Sequence, residues 1–177
     1  LGVSGGWTPA VHLFTQSGGK LSFDEENKVF LPNKYPSEQI SIGSCNGDFK
    51  INEIIKNLSK NLKDFLEIEQ TDFDNINVDS YEEKSKRNIW LLPSDKPIGK
   101  TKPFVDYQND ATAKDIKLAL REGFRSIEHV KRYTTTGMGT DQGKLGNMHA
   151  LGIIADTAGV KMGELGTTTF RPPYTPL

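Results

Sequence analysis

The chain has 177 residues, with 22 Lys and Arg against 23 Asp and Glu and a formal net charge of −1. That balance leaves no electrostatic footprint for nucleic acid or an anionic membrane. Cys45 is the single cysteine, which excludes a disulfide framework and favours a reducing, cytoplasmic compartment. No apolar run approaches the roughly 20 residues of a membrane span, and nothing at the start reads as a signal peptide. The opening Leu1-Gly2-Val3-Ser4, without an initiating Met, reads as an internal piece of something longer.

Residues 1–62 read as α/β. Ser4, Gly5 and Gly6 form a turn, and Pro9 suits the first turn of a short helix, where its missing N–H costs nothing. Val11, Leu13 and Phe14 supply apolar contacts before Ser17-Gly18-Gly19 ends the element. Lys20 to Phe23 alternates like a short strand, and Lys28 to Leu31, ahead of Pro32, reads as another. Gln39 to Ile42 carries the best strand pattern and leads into the loop from Gly43 to Asp48. Beyond it Ile51, Ile54, Ile55, Leu58 and Leu62 recur at helical spacing, so a helix faces a core there.

Residues 63–102 change character. Glu67 to Asp79 is acidic and Glu82 to Arg87 is of mixed charge, a composition that favours a solvated linker. Ile89 to Leu92 interrupts it with enough apolar surface to dock as a strand or clip. Pro93, Pro97, Gly99 and Pro103 then impose a restrained, irregular path.

A helical module follows over 103–159. Thr112 stands as an N-cap with Asp115 at the third position, close to a capping box, and Ile116, Ala119, Leu120 and Phe124 form the buried face. Ser126 caps the next helix, in which Ile127 and Val130 face inward. Leu145, Met148, Leu151, Ile154 and Ala155 make a third helical stripe, stopped near Gly159. Residues 160–177, with Pro172, Pro173 and Pro176, read as an extended tail. The fold class is α+β.

Two segments carry chemical signals. From Lys131 to Lys144, cations, hydroxyls and a glycine-rich backbone meet at a helix end, which is what an anion cradle requires. Its candidate contacts are Arg132, Thr135, Thr136 and Lys144; equally, Gly137, Gly139 and Gly143 merely shape a turn. Gly43, Ser44 and Gly47 lie between a strand and a helix, where small residues let a backbone approach a nucleotide, or where an ordinary connection runs. His12, His129 and His149 lack ligand-pair spacing. Cys45 has no companion to activate it and reads as a small buried side chain. No catalytic triad or acid–base pair is visible.

The order of strand, two helices and glycine-rich loop in Phe104 to Gly146 resembles the bacterioferritin-associated ferredoxin type of two-iron, two-sulfur domain. Laid on this chain, that family's cysteine pairs fall at Asp106 and Gln108, and at Asp141 and about Gly146. Such clusters need thiolates, so no iron–sulfur cluster is expected. Asp106, Gln108 and Asp141 lack a convergent fourth ligand for a hard cation, and are expected instead to hydrogen-bond the loop. Phe104 to Ile116 and Gly123 to Lys144 closely resemble the alpha subunit of heterotetrameric sarcosine oxidase. Ser4 to Leu13 looks like the tail of that subunit's dinucleotide-binding domain, and Thr167 to Pro176 like the approach to its folate-binding domain.

The resemblance implies a division of the chain. Residues 1–62 would be the C-terminal part of an NAD-binding domain, 63–102 a linker, and 103–159 the module without its cluster. Residues 160–177 would be a tail leading to the folate-binding domain. It implies oxidative demethylation of sarcosine by the full complex, with tetrahydrofolate taking the one-carbon unit, and an inactive fragment on its own. The partners implied are the beta subunit, together with the other subunits of a heterotetrameric oxidase. FMN would lie between alpha and beta, attached covalently to beta, with the loop ending at Lys144 holding its phosphate. NAD would meet Gly43, Ser44 and Gly47, although the G-x-G-x-x-G half of such a site is absent from this chain. The alternatives are a subunit of an N-methylglutamate dehydrogenase, or an interaction module that touches no cofactor.

Overall fold

Pro9 and Val11 are almost wholly buried and anchor the first element, α1 (His12–Gln16), which starts just beyond them. The computed structural model describes residues 7–36, 38–79 and 88–172. The expected turn at Ser4 to Gly6, the mixed-charge run Glu82 to Arg87 and the end of the tail from Pro173 lie outside these. The chain divides into two compact units, 1–88 and 89–177, so the boundary falls inside the stretch read as linker.

In the first unit Phe14 is buried but Leu13 is 81% exposed, which corrects the expectation that both supply contacts. Neighbouring helical residues point about 100° apart, so a five-residue helix cannot bury both. The strands β1 (Lys20–Asp24) and β2 (Val29–Lys34) pair antiparallel, with Asp24 opposite Val29 and Phe23 opposite Phe30. Asp24 shapes the hairpin turn by accepting the Glu26 N–H at 2.8 Å, and Phe23 meets Phe30 edge-to-face at 5.0 Å. Pro32 sits within β2 opposite Leu21, next to the register shift. A two-stranded ribbon has only edges, and edges tolerate proline.

Gln39 to Ile42 forms no strand. Among the described residues both sheets are two-stranded, β1–β2 and a second in the next unit. Alternation supplies a face, but a strand also needs a partner for its N–H and C=O groups, and none lies alongside. A 3-10 turn at Gly43–Asn46 follows, then α2 (Ile51–Leu66), which runs four residues past the last position of the expected stripe. Ile54, Ile55, Leu58 and Leu62 are only half-buried and Ile51 is 57% exposed.

The loop after α2 is tied back to it. Thr71 donates its N–H to Asp74 Oδ2 at 3.0 Å, Lys63 Nζ pairs with Asp74 Oδ1 at 2.8 Å, and Ser59 donates its hydroxyl to the same carboxylate. Hydrogen bonds from Lys63, then Ser59 and the Thr71 N–H, hold Asp74 well below the usual carboxylate range. A folded-state value below the unfolded one, roughly 4, gives stability that is present above that pH and lost as pH falls through the folded value. Asp74→Asn is therefore expected to narrow the pH dependence of unfolding between about pH 5 and pH 2. Denaturation at fixed temperature across that range checks it; an unchanged slope would mean the cluster adds nothing to folding.

The second unit opens on Trp90, whose ring lies against Gly152 and meets the His149 ring edge-on at 6.2 Å. Ile89 to Leu92 is thus a clip and not a strand. Short strands β3 (Phe104–Asp106) and β4 (Ala111–Thr112) pair antiparallel. The helices are α3 (Ala113–Arg121), α4 (Ile127–Thr134), α5 (Asn147–Ala158) and α6 (Met162–Leu165). The Thr112 N–H donates to Asp115 Oδ2 at 2.8 Å, which realises the capping box at the start of α3. Ser126 occupies the N-cap of α4, but its hydroxyl makes no capping bond and only its carbonyl accepts, from the His129 and Val130 N–H groups.

Ile116, Ala119, Leu120, Ile127 and Val130 are buried as the spacing requires. α5 departs from it: Ala150 through Ala155 are all buried, and Leu145 lies outside the helix at 74% exposure. A helix packed on several sides has no stripe for periodicity to detect. Residues 160–172, expected to be extended, contain the turn of α6 and then bury Thr168 and Phe170. No helix among the described residues is long and apolar enough to cross a membrane. The architecture is mixed helix and strand.

Candidate functional site

The loop after α4 is built around its own carboxylates. α4 ends at Thr134, Thr135 takes a left-handed conformation (φ 58°), and the chain turns again at Gly137 (φ 72°). Gly137 satisfies two demands, since a side chain there would be strained by its φ and would also overlap Asn147. Its N–H donates to Asp106 Oδ2 at 2.7 Å, while Asp106 Oδ1 accepts the N–H groups of Gln108 at 2.8 Å and Asn109 at 3.0 Å. Burial pushes the Asp106 carboxyl up, but these N–H bonds and the Asn109 amide together outweigh it and hold it below its ordinary value. Charge-assisted bonds of this kind are the stronger class.

Gln108 and Asp141 serve the same loop. Gln108 Nε2 donates to Thr140 Oγ1 at 2.9 Å and its Oε1 accepts the Asp141 N–H at 3.3 Å. Asp141 accepts the N–H groups of Gly143 at 3.1 Å and Leu145 at 3.4 Å. All three side chains therefore hydrogen-bond the loop, as expected of them. No group of metal-ligating side chains occurs among the described residues.

The four candidate phosphate contacts do not form one set. Arg132 is 64% exposed in its side chain and pairs with Glu128 at 3.5 Å, a surface pair worth little in itself. Lys144 is exposed as well. Thr135 is exposed, with its hydroxyl donated to the Thr134 carbonyl at 2.6 Å. Thr136 is the correction, being 2% exposed with its hydroxyl within 2.8 Å of the Thr134 hydroxyl. Thr134 already donates to the Val130 carbonyl, so the hydrogen between the two must be that of Thr136, and it offers no donor to a surface ligand. Lys131 turns the other way from Arg132 and lines a small cleft with Thr136, Asn147 and Thr168.

Most backbone N–H groups of the loop are also committed. Met138 bonds Thr135, Gln142 bonds Gly139 and Lys144 bonds Asp141. An external anion would thus meet side chains, chiefly Arg132 and Lys144, and not an open backbone cradle. Two residues that sequence reasoning missed hold the arrangement together. Asn109 donates its amide to the Thr135 carbonyl at 3.2 Å, and Asn147 reaches Gln142 at 3.5 Å and Thr168 at 3.3 Å. The Asp106-to-Asn109 spacing of an Asx turn was the one available signal for Asn109; Asn147 had none.

Gly43 and Ser44 lie in the 3-10 turn of the first unit and Gly47 caps its end, with Gly43 buried and Gly47 left-handed at φ 90°. A side chain at Gly47 would press on Leu31, so its smallness serves internal packing. α2 begins only at Ile51, which leaves no helix N-terminus at the turn for a nucleotide phosphate. The turn fits NAD poorly.

Residues 100–177 match the family described as the sarcosine oxidase A3 domain. The chain is 37% identical over 188 residues to the sarcosine oxidase alpha chain of Rhizobium meliloti (strain 1021), an alignment that takes in 100% of this chain and 18% of that protein. It is also 35% identical over 68 residues to one of the opine oxidase subunits of the same organism, over 38% of this chain and 15% of that protein. In fold it is similar to L-proline dehydrogenase from P. horikoshii, with a TM-score of 0.64 at 21% identity over 97% of this chain and 36% of that one. The chain belongs to the family of sarcosine oxidase alpha subunits, and it spans about a fifth of the length of the relatives it matches.

Proposed function

We propose that this chain is a scaffold within the alpha subunit of an oxidoreductase complex that demethylates sarcosine to glycine, passing the one-carbon unit to tetrahydrofolate. The supporting observation is the glycine-rich loop, hydrogen-bonded by Asp106, Gln108 and Asp141 while Arg132 and Lys144 stay exposed. Such a loop is a pre-organised cationic platform, and pre-organisation lowers the cost of gripping a partner. On this reading it meets the phosphate of an FMN carried by the beta subunit, with Arg132 and Lys144 as the holding side chains. FMN supplies the redox chemistry when bound; the residues here orient it. Residues 103–159 are then a ferredoxin-type module that works without a cluster, and the chain beyond 160 leads toward a folate-binding domain.

The opine oxidase match favours one refinement. A segment shared between subunits named for different oxidases suits a role in assembly and cofactor placement better than one in choosing the amine.

The test is Arg132→Ala and Lys144→Ala in a full-length alpha subunit co-expressed with beta. Loss of a donor to a charged phosphate is expected to cost about 1.5–3 kcal/mol, a roughly tenfold to hundredfold weaker hold. It would be read as weaker alpha–beta assembly and a shifted flavin spectrum. Wild-type assembly, spectrum and turnover in both variants would reduce the loop to a structural turn.

A further inference from the structure

The two loops of the second unit meet at a single carboxylate. Asp106 is 6% exposed, yet it accepts three backbone N–H groups and an amide. Gln108 and Asn109 lie in the β3–β4 turn; Gly137 lies 31 positions away from Asp106 in the glycine-rich loop. Converging backbone N–H groups form a nest whose natural occupant is an anion. Here the occupant is part of the chain.

We propose that Asp106 fills a small-anion site built from the N–H groups of both loops, and that keeping this site filled is what sets the conformation of residues 135–146. Without the carboxylate, the buried Gly137 N–H and the part-buried N–H groups of Gln108 and Asn109 would lose their shared acceptor. Unsatisfied buried donors are costly, so the loop must then open to water or admit another anion. Of the other ties between the two loops, Gln108 to Thr140 and Asp141 is exposed, as is Asn109 to the Thr135 carbonyl, while Asp141 and Asn147 brace only the far side of the loop, at Gly143 and Gln142. Asp106 is thus a positioning residue for the loop, and this holds whether or not the loop ever meets a flavin.

Rescue by an added anion distinguishes an anion site from ordinary packing, because a cavity left by packing alone has no preference for a carboxylate. In Asp106→Ala, amide exchange at Gly137, Gln108 and Asn109 should quicken at least tenfold. Exchange at the buried Ile116, Leu151 and Ile154 should change by no more than about threefold. Added sodium formate should return the Gly137 amide resonance toward its wild-type position with saturation, whereas sodium chloride at equal ionic strength should do less. Asp106→Asn keeps the shape and one accepting oxygen; with that oxygen on Gln108 and Asn109 its NH2 faces the Gly137 N–H, so it should loosen Gly137 most, without formate rescue. Unchanged Gly137 exchange in both variants would overturn the proposal, as would an Asp106→Ala loop indifferent to formate. Global unfolding of both variants would also overturn it, since the carboxylate would then carry the whole unit and not the loop.

Discussion

Ile154→Ala is expected to lower the stability of the second unit by about 2–5 kcal/mol, the range for truncating a fully buried aliphatic side chain. Ile154 is 0% exposed, in the stretch of α5 that packs against α3, so neighbours anchored in other elements cannot collapse into the space. In a unit of this size each kcal/mol moves the melting temperature by about 4–8 °C, so the midpoint should fall by roughly 8 °C or more. Leu145→Ala is the matched control. The spacing of apolar residues put Leu145 and Ile154 in one stripe, but Leu145 is 74% exposed, and its truncation should stay within about 0.5 kcal/mol. Thermal unfolding followed by circular dichroism separates the two. Equal losses would mean that the packing of α5 is not as described.

The second large effect is expected at Gly152→Val. The position where a side chain would begin is filled by the Trp90 ring, and ring and helix backbone cannot both stay where they are. Over-packing of this kind costs typically about 1–3 kcal/mol. The small gain in helix propensity on replacing a mid-helix glycine, a few tenths of a kcal/mol, does not offset it. Because Trp7 is 86% exposed, the blue side of the tryptophan emission belongs to Trp90. Expelling Trp90 should shift the emission to the red, and Trp90→Phe should remove the same blue component without crowding the helix. An unshifted spectrum in Gly152→Val would show that the clip rearranges locally and holds nothing down.

These two sites also show where sequence and structure part. The capping box at Thr112 and Asp115, the start of α3, the hairpin of β1 and β2 and the helix from Ile51 rest on interactions spanning a few residues. Local chemistry therefore decided them. The expectation that Asp106, Gln108 and Asp141 hydrogen-bond the loop came from the family resemblance that sets them where cluster ligands stand; the loop partners of Asp106 and Gln108 lie 31 to 33 positions away, and only the fold brings them together. Gly152 has no local reason to be glycine; the ring of Trp90, 62 positions earlier, occupies the place of its missing side chain.

What the sequence by itself determined is the set of elements with short-range causes, and the membership of the chain in its family through its motifs. What only the tertiary structure decided is everything that depends on a partner distant in the chain. Gln39 to Ile42 alternates as a strand should, yet without a neighbouring strand its backbone groups have no ladder to join, and it stays irregular. Thr136 belongs to the same hydroxyl run as Thr135, yet the left-handed turn at Thr135 sends one outward and the other in against Thr134. Asn147 carries no signal in its neighbours, because its role comes from lying between Gly137, Gln142 and Thr168. Spacing along a chain reports which side of an element a residue occupies; which sides are covered is set by contacts whose sequence separation leaves no periodic trace.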